Sequence, residues 1–170
     1  MHVQPTQPVE ILQGIRALAA PALELKPERV YLAPDPTVLG RLPPAADRFA
    51  AVVLQSVRFE SGPQHPAVWP ALLDLQTCIY SRVAVDRPVD MTALLTDQTR
   101  GLLPLADRLL ASLAGQELAQ AEPPNTRLLR GPLVCTGLHP VRWAEAGNLV
   151  VAYMVLSWVA PFEYGIAPNP

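Results

Sequence analysis

Residues Ala71–Val85 read ALLDLQTCIYSRVAV, and the alternation in this stretch decides the fold. Leu73, Leu75, Thr77, Ile79, Val83 and Val85 share one parity, while Asp74, Gln76, Tyr80, Arg82 and Asp86 fall on the other. Successive strand residues point to opposite sides, so this pattern predicts a long strand with one buried face. Upstream, Phe49–Glu60 (FAAVVLQSVRFE) places Phe49, Ala51, Val53, Val57 and Phe59 on one parity and predicts its antiparallel partner. Between them Ser61–Pro70 (SGPQHPAVWP) holds three prolines, which restrict the residues before them and stiffen a wide hairpin loop.

Outward from this pair, Thr6 is placed to cap a helix with Pro8 in its first turn and Ile11, Ile15, Leu18 and Ala22 on one face, bounded by Pro21 and Pro27. Arg29–Ala33 (RVYLA) predicts a short strand, and APDPTVLGRLPPAADR a proline-rich loop. Beyond the pair, Asp90 caps a helical stretch ending at Gly115, with Leu95, Leu102, Leu105, Leu109 and Leu113 on one face. Gly101 and Pro104 interrupt it and predict a kink or two helical pieces. AQAEPPNTR reads as a linker; Leu133–Trp143 and Asn148–Phe162 read as a closing hairpin around Glu145, Ala146 and Gly147. The order predicts an α+β fold: a mainly antiparallel sheet of four to five strands with two principal helices packed on one face. No linker divides the chain into halves that each own a core, so residues 1–170 are expected to form a single domain.

Composition narrows the function. Among 170 residues 50% are hydrophobic and 16% charged, which excludes a disordered tail. A net charge of -2 supplies no overall basic footprint, so specific nucleic-acid binding is not expected. Two cysteines, Cys78 and Cys135, are too few for a disulfide scaffold and read as small buried thiols. The N-terminus lacks the pattern of a signal peptide, which places the chain in the cytoplasm. The longest apolar run, Leu149–Phe162, has 14 residues, short of the roughly 18–20 a membrane helix needs.

Chemistry-bearing motifs are missing. Histidines stand at positions 2, 65 and 139 without metal-ligand spacing, and a composite of Cys78, Cys135 and His139 lacks a fourth ligand. Cys135 and His139 are about 13 Å apart along an extended strand, too far to pair. There is no GxSxG, phosphate-cradling GxxxxGK[ST] or GxGxxG, and Asp35, Asp47, Asp74 and Asp86 read as solvated carboxylates. No catalytic residue, metal or cofactor is expected. The competing reading is a small enzyme or ligand-binding domain with a pocket between sheet and helix, using Asp74, Tyr80 and Arg82.

The last strand is apolar on both parities: Val150, Ala152, Met154, Leu156 and Trp158 on one, Leu149, Val151, Tyr153, Val155 and Val159 on the other. Helices on one face of a sheet cannot cover both, so either a curled sheet or a neighbouring subunit is required, and the low charge content favours the subunit. Leu149, Val151, Tyr153 and Val155 are therefore candidates for a subunit or tube interface, together with Gln64, His65 and Trp69 of the stiff loop. Trp69 equally fits a role in closing the end of the core.

The order of elements, with VEILQGIRALA, RVYLAP, FAAVVLQSVRFE, ALLDLQTCIYSRV, LADRLLASLAG, LVCTGLHPVRW and NLVVAYMVLSWVAPFEYG, resembles the tail-terminator (tail-completion) proteins of long-tailed bacteriophages over nearly the whole chain. The resemblance implies a non-enzymatic virion protein assembled in the host cytoplasm as a ring, usually a homohexamer, at the head-proximal end of the tail tube. It implies contacts with the tube protein and with neck, head-completion or connector proteins, and DNA passing through the ring lumen without specific binding. A neck or head-completion adaptor is the alternative within the same setting. The extra length at Thr37–Asp47 and Gln116–Arg130 departs from the smaller members.

Overall fold

The computed structural model describes residues 7–41, 45–61, 68–83, 89–118, 127–147 and 149–165. Their order is α1 (Pro8–Ala22), a 3₁₀ turn (Pro27–Arg29), β1 (Val30–Ala33), α2 (Pro36–Arg41), β2 (Arg48–Phe59), β3 (Val68–Val83), α3 (Met91–Thr96), α4 (Leu102–Leu113), β4 (Val134–Leu138), β5 (Arg142–Ala146) and β6 (Leu149–Gly165). The fold is α+β, with a six-stranded, mostly antiparallel sheet in the order β1-β2-β3-β6-β4 and β5 also on β6. Only β1 runs parallel to its neighbour, β2.

The alternating stretch is the centre of this sheet. β3 pairs along its full length with β6, from Val68 opposite Gly165 to Val83 opposite Val150, and on its other side with β2. Ala71, Leu73, Leu75 and Ile79 of β3 join Ala152, Met154, Leu156, Trp158, Ala160 and Phe162 of β6 in the main core. Ile11, Ile15 and Ala19 of α1 and Leu102, Leu105, Leu109 and Leu113 of α4 close this core from above. Thr77 is the polar group inside it, and its hydroxyl accepts the Trp158 indole N–H at 2.9 Å, which satisfies both.

Besides α2, which forms inside the predicted proline-rich loop, four local features depart from the sequence reading. The helix starts one residue later than a Thr6 cap implies: Gln7 is the N-cap, Pro8 takes the first helical position, and the Glu10 carboxylate accepts the Gln7 N–H at 2.7 Å. β2 does not keep one parity, because its register shifts between Leu54 and Ser56. Phe49, Ala51 and Val53 thus face away from α1 and α4, whereas Val57, opposite Leu73, turns to the helix side. The predicted strand Leu133–Trp143 is two strands, since His139, Pro140 and Val141 leave the ladder between β4 and β5. The final turn is also tighter than predicted: Ala146 pairs with Leu149, leaving only positions 147 and 148 between them, and Gly147 takes φ +59.

The second helical stretch divides at Gly101, as its sequence allows. An added Cβ there would lie 2.6 Å from the Asp97 backbone nitrogen, so only glycine lets the chain turn from α3 into α4. Pro104 sits in the first turn of α4, where its missing N–H costs nothing. The linker at 119–126 and the tip of the β2–β3 loop at 62–67 lie outside the described residues.

Candidate functional site

The sheet face turned away from α1 and α4 is divided in two. Its first half is apolar: Phe49, Ala51, Val53, Cys78, Tyr80, Val151, Tyr153 and Val155 form a second buried cluster with Ala33 and Ala46. Its rings are layered, Phe49 stacking on Tyr80 at 4.8 Å and Tyr80 on Tyr153 at 5.3 Å, with Tyr31 edge-on to Phe49 at 6.5 Å. What covers them is the proline-rich connector itself. α2 lies across β1, β2, β5 and β6, Leu39 packs on the cluster, and the Tyr80 hydroxyl donates to the Pro36 carbonyl at 2.6 Å. The cover expected from a neighbouring subunit is thus supplied, over this half, by the chain. Val151, Tyr153 and Val155 are buried within one copy, and Leu149 is half-buried at the start of β6.

Burial in this cluster pushes the Cys78 thiol up to about 12 and raises the Tyr80 phenol, again chiefly through desolvation. Cys78 is fully buried, whereas Cys135 is half-buried, its thiol directed at the Gly137 carbonyl 3.7 Å away. Native protein is therefore expected to release one equivalent with Ellman's reagent, from Cys135, and two in denaturant. Rapid reaction of two thiols before unfolding would contradict the sealed second cluster.

The other half of the face is polar and open. Arg58 grips Asp74 with both arms of its fork, Nε to Oδ2 at 2.6 Å and Nη2 to Oδ1 at 2.7 Å, while Ser56 donates to Oδ2 at 2.6 Å. The hydrogen bonds from Arg58 hold the Asp74 carboxyl below its ordinary range. A carboxylate depressed on folding contributes stability above its unfolded pKa and loses it as pH falls through the folded value. Replacing Asp74 by asparagine should therefore flatten the fall in melting temperature between about pH 5 and pH 2. An unchanged acid limb would show that the pair contributes nothing.

Beside this pair, the His139 Nε2 lies 2.7 Å from Ser157 Oγ, and Gln76 Nε2 reaches the same hydroxyl at 3.4 Å. A serine beside a histidine is the start of a nucleophilic pair, but activation also requires a group that orients the ring. Among the described residues His139 has no carboxylate partner, and no three His, Cys, Asp or Glu side chains gather as a metal set. The trio considered for a ligand pocket comes apart: Asp74 is paired with Arg58, Tyr80 is sealed under α2, and Arg82 lies at the sheet end. Among the described residues no helix is long and apolar enough to cross a membrane.

Both lateral edges of the sheet are open among the described residues: β1 on one side, β4 and β5 on the other. Along the β4–β5 edge Val134, Leu138 and Trp143 are 49%, 52% and 44% exposed, and Leu32 of β1 is 39% exposed. At the end of the sheet where β2 meets β3, half-exposed Phe59 makes edge contacts with Trp69 at 5.5 Å and with Tyr164 at 5.4 Å. Trp69 thus packs on this end of the sheet; Gln64 and His65 lie outside the described residues. At the opposite end, roughly 40 Å from Trp69 along β3, a cleft of 490 Å³ is lined by Glu24, Leu25, Lys26, Arg29, Asp47, Arg48, Ser81, Arg82 and Arg100. Sequence reading missed this cleft because its cations come from four separated segments, with no local cluster to mark it.

The chain matches no protein-family model and no curated protein. Among solved structures it is similar to a chain from the virion of a native gene transfer agent particle, with 18% identity and a TM-score of 0.43, over 89% of this chain and 90% of that one.

Proposed function

We propose that this chain, as one domain, is a structural protein of a phage-like virion: a tail terminator that closes into a ring, a homohexamer, at the head-proximal end of the tail tube. It stops tube polymerisation and offers the neck a docking surface, acting by contact and not by catalysis. The observation that carries this reading is the pair of open sheet edges, with Val134, Leu138 and Trp143 standing out along one of them and Leu32 on the other. Unpaired edges with exposed apolar side chains are what a soluble monomer ordinarily hides. A head-to-tail ring covers both edges in every copy, β1 of one subunit against β4–β5 of the next, provided the rotation closes. The sequence resemblance to tail terminators supports the same assignment.

The irregularities of that edge fit an ending better than a continuing assembly. The register shift between Cys135 and Gly137 and the break at Pro140 interrupt the donor and acceptor row that further strands would extend. In this reading the tube is met by the aromatic end, where Trp69 and Phe59 flank the β2–β3 loop, with Gln64 and His65 in that loop as contacts, and Leu149, Val151, Tyr153 and Val155 shape the β5–β6 side from within. Deleting residues 62–67 is expected to leave the sheet folded and to weaken tube capping, read as overlong tails by negative-stain microscopy. Tails of normal length in the deletion would count against this contact. The ring itself is tested by adding purified chain to tube assemblies: capped, length-limited tubes are expected, and a chain that stays monomeric and leaves tube length unchanged would overturn the reading.

A further inference from the structure

The cleft at the β1–β3 end of the sheet concentrates charge that the rest of the chain lacks. Among the described residues, five basic side chains line it, Lys26, Arg29, Arg48, Arg82 and Arg100, against two acids, Glu24 and Asp47. One of those acids is already engaged from outside, since Arg108 Nη1 binds Glu24 Oε1 at 2.9 Å. Lys26, Arg29 and Arg82 form no ion pair among the described residues, while Arg100 lies close enough to Asp97 to help the Thr99 hydroxyl hold its carboxyl below the ordinary range. Arg48 donates to the Thr99 carbonyl at 3.2 Å and so ties the segment bearing Arg100 to the start of β2. The Arg82 N–H donates to the Asp47 carbonyl at 2.8 Å, which fixes the opposite wall.

We propose that this cleft binds phosphate oxyanions, and that their source is the phosphodiester backbone of a nucleic-acid strand. Arginine forks match phosphate oxygens, and consecutive phosphates use cations spread over several segments, as they are here. A docked acidic protein segment would call for an apolar centre within a polar rim, and Leu25 is the one apolar side chain in the lining. Among the described residues no aromatic ring lines the cleft, so bases find no stacking platform there and binding is independent of sequence. The overall charge of -2 does not reveal this site, because net charge carries no information on where charges sit. The inference does not depend on ring formation.

The test is fluorescence polarisation of the full chain with a labelled mixed-sequence duplex oligonucleotide, with inorganic tripolyphosphate and a polyglutamate peptide as separate competitors. Binding is expected near the 10⁻⁴–10⁻⁶ M of non-specific contacts, weakening as salt rises with a log–log slope of about -0.9 per phosphate neutralised. The combined Arg29→Glu, Arg82→Glu and Arg100→Glu chain is expected to bind at least about tenfold more weakly, while Arg142→Glu, on β5 away from the cleft, changes nothing. Asp47→Asn removes an acid from the lining and is expected to tighten binding, so a gain as well as a loss is read. Equal losses from the cleft and β5 variants would reduce the effect to net charge and overturn the proposal. Tripolyphosphate binding without oligonucleotide binding would reassign the site to free phosphates, and polyglutamate binding alone would reassign it to an acidic protein; either overturns the nucleic-acid source.

Discussion

Replacing Trp158 with alanine should cost about 3–5 kcal/mol of stability, the range for deleting a large buried aromatic. Trp158 is 1% exposed at the middle of β6, where it sits opposite Leu75 on one side and Cys135 on the other. Its removal leaves a cavity at the meeting point of three strands and takes away the indole donor that satisfies Thr77. Trp158→Phe keeps most of the volume and leaves Thr77 without its donor, so a smaller loss of about 1–3 kcal/mol is expected. Urea unfolding followed by far-ultraviolet circular dichroism measures both. A loss under about 1 kcal/mol for the alanine variant would mean that this part of the sheet is not packed as described.

Tyr80→Ala should be comparably severe, about 3–5 kcal/mol, and should differ in kind. Tyr80 is the middle ring of the Phe49, Tyr80, Tyr153 stack, and its hydroxyl holds the connector through the Pro36 carbonyl. Without it α2 loses its anchor and the apolar half of the second face becomes accessible. The expected signature is dye binding by a hydrophobic probe at denaturant concentrations where the sheet is still intact. Tyr80→Phe keeps the stack and loses one hydrogen bond, so a smaller loss of about 1–3 kcal/mol is expected. If Tyr80→Ala unfolds in one step with no dye-binding stage, the connector is a cooperative part of the core and not a separable cover.

These residues also show what was legible in the chain. The parity of Ala71–Val83 marked the central strand, and the doubly apolar β6 correctly signalled that both faces of the sheet need cover. The covering element was hidden, because Pro34, Pro36 and Gly40 in the connector argue for a loop. α2 exists through tertiary support: Pro36 serves at its first position, and Leu39 packs against rings brought in from β2, β3 and β6. The shift in β2 was likewise beyond parity arguments, since Leu54 and Gln55 carry no glycine or proline to mark the irregular step. Pro140 marks the break between β4 and β5, which divides the apolar run Leu133–Trp143 into two strands.

The proposed interface was less legible than the fold, for a physical reason. Exposure at a strand edge depends on which strand ends the sheet, and that is set by pairing over long sequence distances. Val134, Leu138 and Trp143 look in sequence like ordinary inward-facing strand residues; only the order β1-β2-β3-β6-β4, with β5 also on β6, places them on an edge. The basic cleft has the same origin. Lys26 and Arg29 follow α1, Arg48 opens β2, Arg82 lies near the end of β3 and Arg100 precedes α4, and strand pairing together with the Arg48 bond to the Thr99 carbonyl brings them together.

The central claim, a ring that ends the tail tube beside the head, is tested most directly by electron cryo-microscopy of particles carrying a labelled copy of this chain. A single symmetric ring of label at the head-proximal end of the tail is the predicted result, with β1 of each subunit against β4–β5 of the next. Label elsewhere in the particle, or none at all, would contradict it.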